Sequence, residues 1–345
     1  MLRLTVIVAS IAYCSSFLVP PIALRSASQI GAKDVQQQLH MMTQHVEGDL
    51  VGDSASTYSG QVDRRTLLKA IPATLVAGVI GGVAATSAPQ GALARSTPKP
   101  VPAGTKIVVI GGNGFVGSKV CEILVEAGAI VTSVSRSGSK PDKWAAGQSW
   151  VDKVSWTKGD PTTSDLSSVF GQASAVISCV GVIGGSDEEM EKGNGDVNVQ
   201  AAMQAAKGKT GRFVYVSVSD LMPEAVGGAV FKGYFNGKSR AEKAIAESFP
   251  STGVLIKPSF IYGGESFGLT PPRVSDGYGS GIDALLSSSP IRAIAGVSPG
   301  LIKVALSPPV SRDNVALACV AGALGRLQGT AFDGADEIND AASKA

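Results

Sequence analysis

Histidine is almost missing. The 345 residues contain two, His40 and His45, and none follows them. Beyond residue 45 a Ser-His-Asp or Cys-His nucleophile is excluded, and a zinc site has lost its commonest nitrogen ligand. Proton transfer there falls to Tyr, Lys, Asp or Glu, and no metal site is expected. Cysteine is sparse too. Cys14 lies in an early apolar run. Cys121, Cys179 and Cys319 are odd in number, have apolar neighbours and form no C-x-x-C, so they read as small buried hydrophobes rather than a disulfide framework. Charge of one sign is also lacking: 30 Lys plus Arg stand against 28 Asp plus Glu. With no basic stripe to follow a phosphate backbone, nucleic acid is not an expected partner.

The first 94 residues lack the pattern of a globular domain. Residues 1–16 hold Arg3, the run "LTVIVASIAY" and small residues before Phe17, the make-up of a secretory-type signal peptide. The run is too short for a comfortable membrane span. Residues 17–63 read as a transit-like segment, although Asp34, Glu47, Asp49 and Asp53 make it more acidic than such segments usually are. Residues 64–94 place Arg64 and Arg65 before Leu67 and Leu68, then a Gly- and Ala-rich apolar stretch ending in Ala92-Leu93-Ala94. This resembles a twin-arginine export signal with an A-x-A cleavage site, the alternative being a retained anchor. The series resembles the targeting of plastid proteins in algae with secondary plastids. It implies a plastid protein at the thylakoid, either in the lumen or associated with the membrane.

From residue 105 to 263 short apolar runs alternate with helical patterns. "KIVVIGG", "AIVTSVSR", "VSWTKGD", "SAVISCVG", "RFVYVSVS" and "GVLIKPSFIYG" read as six strands. Val116, Val120, Ile123, Leu124 and Ala127 share one face of a helix that stops at Gly128. "SDLSSVF" reads as a short helix capped by Ser164, and "GGSDEEMEKGNGD" as a polar loop. The expected fold class is α/β, a Rossmann-type doubly wound parallel sheet with ligands at the carboxyl ends of its strands. Residues 264–345 are expected to form a small C-terminal substrate cap.

Gly111, Gly114 and Gly117 are spaced G-x-x-G-x-x-G between the first strand and the first helix. Glycines there let backbone approach a pyrophosphate at a helix N-terminus. Asn113, Phe115 and Val116 complete the candidate loop, and Val180 and Gly181 follow the fourth strand at the same sheet end. The second strand ends in Ser135 and Arg136 with no acid beside them. An acid would suit the 2′-hydroxyl of NAD, whereas an Arg suits a 2′-phosphate. NADP(H) is therefore expected in preference to NAD(H). Asp160, after the third strand, either reaches the adenine or caps the next turn.

"GGNGFVG", "GD", "VNV", "FVYVSVSD", "YFNGK" and "IKPSFIYGG" occur in the order and spacing of the short-chain dehydrogenase/reductase superfamily. The chain resembles its extended or atypical branch over residues 105–265, and "PPVSRDNVALACV" resembles that branch's C-terminal helix. Within the branch it is similar to plastid and mitochondrial members associated with quinone metabolism, including the NADPH-binding accessory subunit of respiratory complex I. The resemblance implies a Tyr-x-x-x-Lys pair, Tyr234 and Lys238, one helical turn apart. Lys238 would lower the tyrosine's pKa and hold the nicotinamide ribose, while Tyr234 exchanges a proton with a substrate oxygen. It also implies a hydroxyl after the fifth strand, for which Ser217 and Ser219 are candidates around the usual position, Val218. Asn198 matches the family's Asn, and Pro258 matches the strand end lining the nicotinamide pocket. Gly237 stands where the family usually has Ser. Two functions remain open: an oxidoreductase on a small apolar substrate, or a non-catalytic nucleotide-binding subunit of a membrane complex.

Overall fold

Four successive apolar residues after Lys106 require cover on both faces of a strand. In the computed structural model, which describes residues 98–171, 173–225, 231–263, 268–269, 272–274 and 307–345, this run is β1 (Lys106–Ile110). Ile107 and Val109 enter one core, and Val108 and Ile110 the other. There follow α1 (Phe115–Glu126), β2 (Ile130–Ser135), α2 (Asp142–Ala145), β3 (Val154–Lys158), α3 (Ser167–Phe170) and β4 (Ala175–Ser178). Next come α4 (Asp187–Glu191), α5 (Val197–Lys207), β5 (Phe213–Val216), α6 (Leu221–Ala225), α7 (Lys232–Ser248) and β6 (Gly253–Lys257). The short strands β7 (Ile261–Tyr262), β8 (Gly268–Leu269), β9 (Pro272–Val274) and β10 (Val310–Ser311) precede α8 (Arg312–Ala323), β11 (Ala331–Asp333) and α9 (Gly334–Ala342).

The main sheet runs β11-β6-β5-β4-β1-β2-β3, and every pairing in it is parallel. A second small sheet runs β10-β7-β9-β8. Strand order reverses between β1 and β4, so the crevice at their carboxyl ends is the expected ligand position. The Rossmann-type α/β fold is as the pattern implies. No helix among the described residues is long and apolar enough to cross a membrane. None of their His, Cys, Asp and Glu side chains group to hold a metal. The segments 1–16, 17–63 and 64–94, expected to be targeting signals, lie outside the described residues.

Three sequence expectations change. First, the end of 264–345 does not belong to a cap. β11 pairs Ala331, Phe332 and Asp333 with Leu255, Ile256 and Lys257 and so covers the edge of β6. α8 buries Val315, Ala316, Cys319 and Val320 in the same core as α1. Most of the remainder of the expected cap lies outside the described residues. Second, "GGSDEEMEKGNGD" is largely helical. Ser186 and Glu189 form a capping box at the start of α4, and Lys192–Asp196 is a π-helical turn leading into α5. Third, Ser164 does not cap α3. Asp165 accepts from the Ser167 backbone at 2.9 Å and also from its hydroxyl, because it stands closer to the first free N–H groups.

Candidate cofactor and active site

Gly111 leaves β1 with φ 79°, and the Gly114 N–H donates to Gly111 O at 2.9 Å, closing a tight turn. Gly114 then starts α1 with no side-chain cap and no acid in the first turn. The N-terminal N–H groups and the positive end of the helix dipole therefore lie at the strand-order reversal. A Cβ on Gly117 would stand 2.1 Å from Gly111 O, so only glycine lets the helix close onto the turn. Phe115 and Val116 pack into the core. These residues fit a dinucleotide pyrophosphate.

Asn113 ties this loop to the end of β2, donating to Ser137 Oγ at 3.3 Å and Ser139 Oγ at 3.2 Å. The Gly138 N–H donates to Ser135 Oγ at 3.1 Å. Arg136 is exposed at this turn. Asp160 takes the turn-capping role: it accepts from Thr162 N at 2.9 Å and Thr162 Oγ1 at 2.7 Å.

The other wall of the crevice comes from β4 and α7. A Cβ on Gly111 would lie 3.2 Å from Val180 Cγ2, and one on Gly181 would lie 3.3 Å from Lys238 Nζ. The glycine turn, Val180-Gly181 and Lys238 are thus brought together. Lys238 is 4% exposed. Its Nζ donates to Val216 O at 2.9 Å and stands 4.6 Å from the Tyr215 ring centroid and 5.7 Å from that of Tyr234. Burial brings Lys238 down to about 7, with Glu242 and Cys179 acting in the opposite direction. Burial pushes the half-buried Tyr234 phenol up from its ordinary value. This corrects the expectation that Lys238 lowers the tyrosine: the ammonium sits over the rings, and desolvation dominates. Burial likewise raises Cys121, Cys179 and Cys319, all three free, and Cys179 reaches about 12. None has thiolate character at neutral pH.

The family described as NAD(P)H-binding matches residues 111–266. The "Uncharacterized protein At1g32220, chloroplastic" of Arabidopsis thaliana is 36% identical over 222 residues, which cover 62% of this chain and 70% of that protein. The chain belongs to the NAD(P)H-binding family. "MIOREX complex component 2" of Saccharomyces cerevisiae is 35% identical over 80 residues, covering 23% of this chain and 29% of that protein. Similar solved structures include a UDP-glucuronic acid 4-epimerase from Bacillus cereus in complex with NAD, at 17% identity and a TM-score of 0.45, covering 66% of this chain and 77% of that one. Vestitone reductase from alfalfa (Medicago sativa) is 19% identical with a TM-score of 0.45, covering 67% and 76%.

Within this NAD(P)H-binding family member, the hydroxyls expected after β5 are turned to other partners. Ser217 Oγ donates to Glu242 Oε1. Ser219 is fully buried; its N–H donates to Pro258 O at 3.1 Å, and its Oγ accepts from Leu221 N at 3.4 Å. Pro258 is buried at the end of β6. Asn198 is fully buried in the first turn of α5, beneath the loop after β4. It accepts from Ser178 Oγ at 2.5 Å and donates to Asn194 O at 2.8 Å. One turn earlier, Asn194 donates to Val182 O at 2.6 Å and Met190 O at 2.7 Å, so the two asparagines fix the loop after β4.

Gly237 has a packing reason. A Cβ there would meet Glu191 O at 2.8 Å, Asn194 Cβ at 2.9 Å and Gly195 N at 2.9 Å, so α7 lies against the π-helical turn at glycine distance. Sequence reasoning missed Asn194, Glu242 and Arg312. Glu242 carries a helical signal, four residues after Lys238 on the same face. Arg312 carries none: it donates from α8 to Phe115 O at 2.6 Å and Ser118 Oγ at 2.8 Å, bracing the start of α1 from far along the chain.

Proposed function

We propose that the protein is an NADP(H)-dependent oxidoreductase acting on a carbonyl or hydroxyl of a small apolar molecule, quinone- or pigment-related, in the plastid. The observation that carries this reading is the Tyr234–Lys238 pair on α7, with Lys238 buried against β5 beside the glycine loop. A bound nicotinamide supplies or accepts the hydride. Lys238 would hold the nicotinamide ribose, and Tyr234, kept a phenol by burial, would give its proton to a substrate oxygen. The loop Gly111, Asn113, Gly114, Phe115, Val116 and Gly117 would hold the pyrophosphate, with Val180, Gly181 and Pro258 along the nicotinamide side. The exposed Arg136 and the serine turn at the end of β2 support NADP(H) over NAD(H).

NADPH is expected to bind at least tenfold more tightly than NADH, because charged hydrogen bonds contribute about 1.5–3 kcal/mol. Arg136→Ala should narrow that gap. Equal dissociation constants for the two cofactors in the wild-type protein would reject the preference. The reaction itself is tested by purifying the chain from residue 95, identifying any retained nucleotide and screening quinones and carbonyls for NADPH oxidation.

Plastid location is supported by the chloroplastic relative and by the targeting-like series before residue 95. The reading extends to the thylakoid, in the lumen or peripheral to the membrane. N-terminal sequencing of the plastid protein is expected to begin near Arg95; residues 70–90 still attached would rule out cleavage and favour a retained anchor.

A second reading is favoured by the commitment of Ser217 to Glu242 and by the absence of a hydroxyl at Val218. Under it the protein binds the dinucleotide without turnover and stabilises a membrane complex, the nucleotide adding stability by linkage.

A further inference from the structure

Lys238 and Glu242 are one turn apart on α7, and two neighbouring residues of β5 and its end receive them. The Val216 carbonyl takes the Lys238 ammonium at 2.9 Å, and the Ser217 hydroxyl donates to Glu242. Glu242 is also gripped from β6, where Lys257 Nζ donates to its other oxygen at 3.1 Å. Lys257 is 5% exposed in its side chain and bridges onward to Asp220. Burial acts to lower Lys257, but hydrogen bonds and charge from Asp220 and Glu242 outweigh it and raise the group, so it stays a cation. A carboxylate held from two sides keeps its place, although its side chain is 21% exposed.

We propose that Glu242, clamped between Ser217 and Lys257, is a positioning residue that holds a negative charge one helical turn from Lys238 and favours its ammonium at the carboxyl end of β5. The proposal rests on the reading of Lys238 as a cofactor-holding residue and extends it to the group behind. Ser217 then serves the clamp and not the substrate. The groups facing Lys238 are Glu242 and Tyr234 from α7, Cys179 from the end of β4 and Tyr215 from β5. Of these, Glu242 is the carboxylate. Glu191 and Asp196, from the segment packed on α7, are paired with Arg240 at 3.1 Å and 2.8 Å. Asp187, also on that segment, accepts from the Gly233 N–H at 2.9 Å. Cys179 is pushed up by burial and stays neutral through the range in which Lys238 titrates.

The test is an NMR titration of lysine 13Cε resonances in the apoprotein, with Lys238 assigned by the signal missing in Lys238→Met. In wild type Lys238 should titrate near neutrality. In Glu242→Gln, which keeps shape and removes charge, its midpoint should fall by about one unit or more, the usual influence of an opposite charge at close range. Ser217→Ala frees the carboxylate to follow Lys257 away from Lys238, so the midpoint should fall in the same direction by less. An unchanged midpoint in a folded Glu242→Gln protein overturns the proposal; if that variant does not fold, an unchanged midpoint in Ser217→Ala does so. The titration needs no substrate. An inactive protein whose Lys238 midpoint still follows Glu242 would count against the enzymatic reading while leaving this one standing.

Discussion

Tyr234→Phe is expected to lower turnover by about 10²–10⁴-fold while hardly changing stability or nucleotide affinity, since general acid catalysis supplies that factor and the ring is retained. Lys238→Met should behave differently. It should lose turnover and bind NADPH more weakly, yet fold into a more stable apoprotein. The lysine ordinarily titrates at 10.5 and is brought to about 7 by burial in the folded chain. Between those two values the unfolded chain binds a proton that the folded chain does not, so wild-type stability gains from this group as pH rises from 7 to 10.5. Below 7 its full cost applies. Lys238→Met should therefore be the more stable protein by roughly 3–5 kcal/mol below pH 7, with the advantage fading toward pH 10.5. Urea unfolding of both proteins at several pH values measures it. A Lys238→Met protein less stable than wild type at pH 6 would contradict the buried-cation account. Full activity of Tyr234→Phe on a substrate that wild type turns over would remove the tyrosine from the mechanism.

Serine at Gly237, where the superfamily it resembles usually has one, is expected to damage the protein. Serine improves helix propensity by about 0.5 kcal/mol over glycine. Against this stand backbone atoms of Glu191 and Gly195, and the Asn194 Cβ, all within 3 Å of the new side chain. None of these is the yielding end of a long side chain. Overpacking of this kind costs about 1–3 kcal/mol, occasionally more, and exceeds the propensity gain. α7 must retreat from the π-helical turn, carrying Lys238 with it. Gly237→Ser should unfold at lower urea and bind NADPH less tightly. Unchanged stability and affinity would show that the seam between α7 and the π-helical turn is looser than its distances indicate.

The parts of the fold legible in the sequence are those with long or repeated signals. β1 announces itself by four apolar residues and a glycine loop, and α1 by its apolar face. The parts that escaped are short or are specified by distant partners. "AFD" is too brief to carry a period of two, yet β11 pairs along its whole length with β6. "EKGNGD" looks like a turn because its two glycines suit one. Its helical form depends on Asn194 bonding back to Met190 O and on Gly237 arriving from another helix. The same holds for the site. The glycine loop and Tyr234–Lys238 are local spacings, whereas the purpose of Ser217 became readable only when Glu242 and Lys257 stood beside it.

The placement of β11 also bears on how the protein is made. Synthesis runs from the N-terminus, so β6 emerges with one edge bare and waits for the last segment of the chain to seal it. A nascent chain halted before residue 331 exposes an adhesive strand edge. Early stop codons, or expression of the nucleotide-binding portion alone as residues 105–263, should therefore give aggregates rather than a half-working protein. An affinity tag is better tolerated in front of Lys106 than inserted between Ala323 and Ala331, where it would hold the sealing strand away from its place.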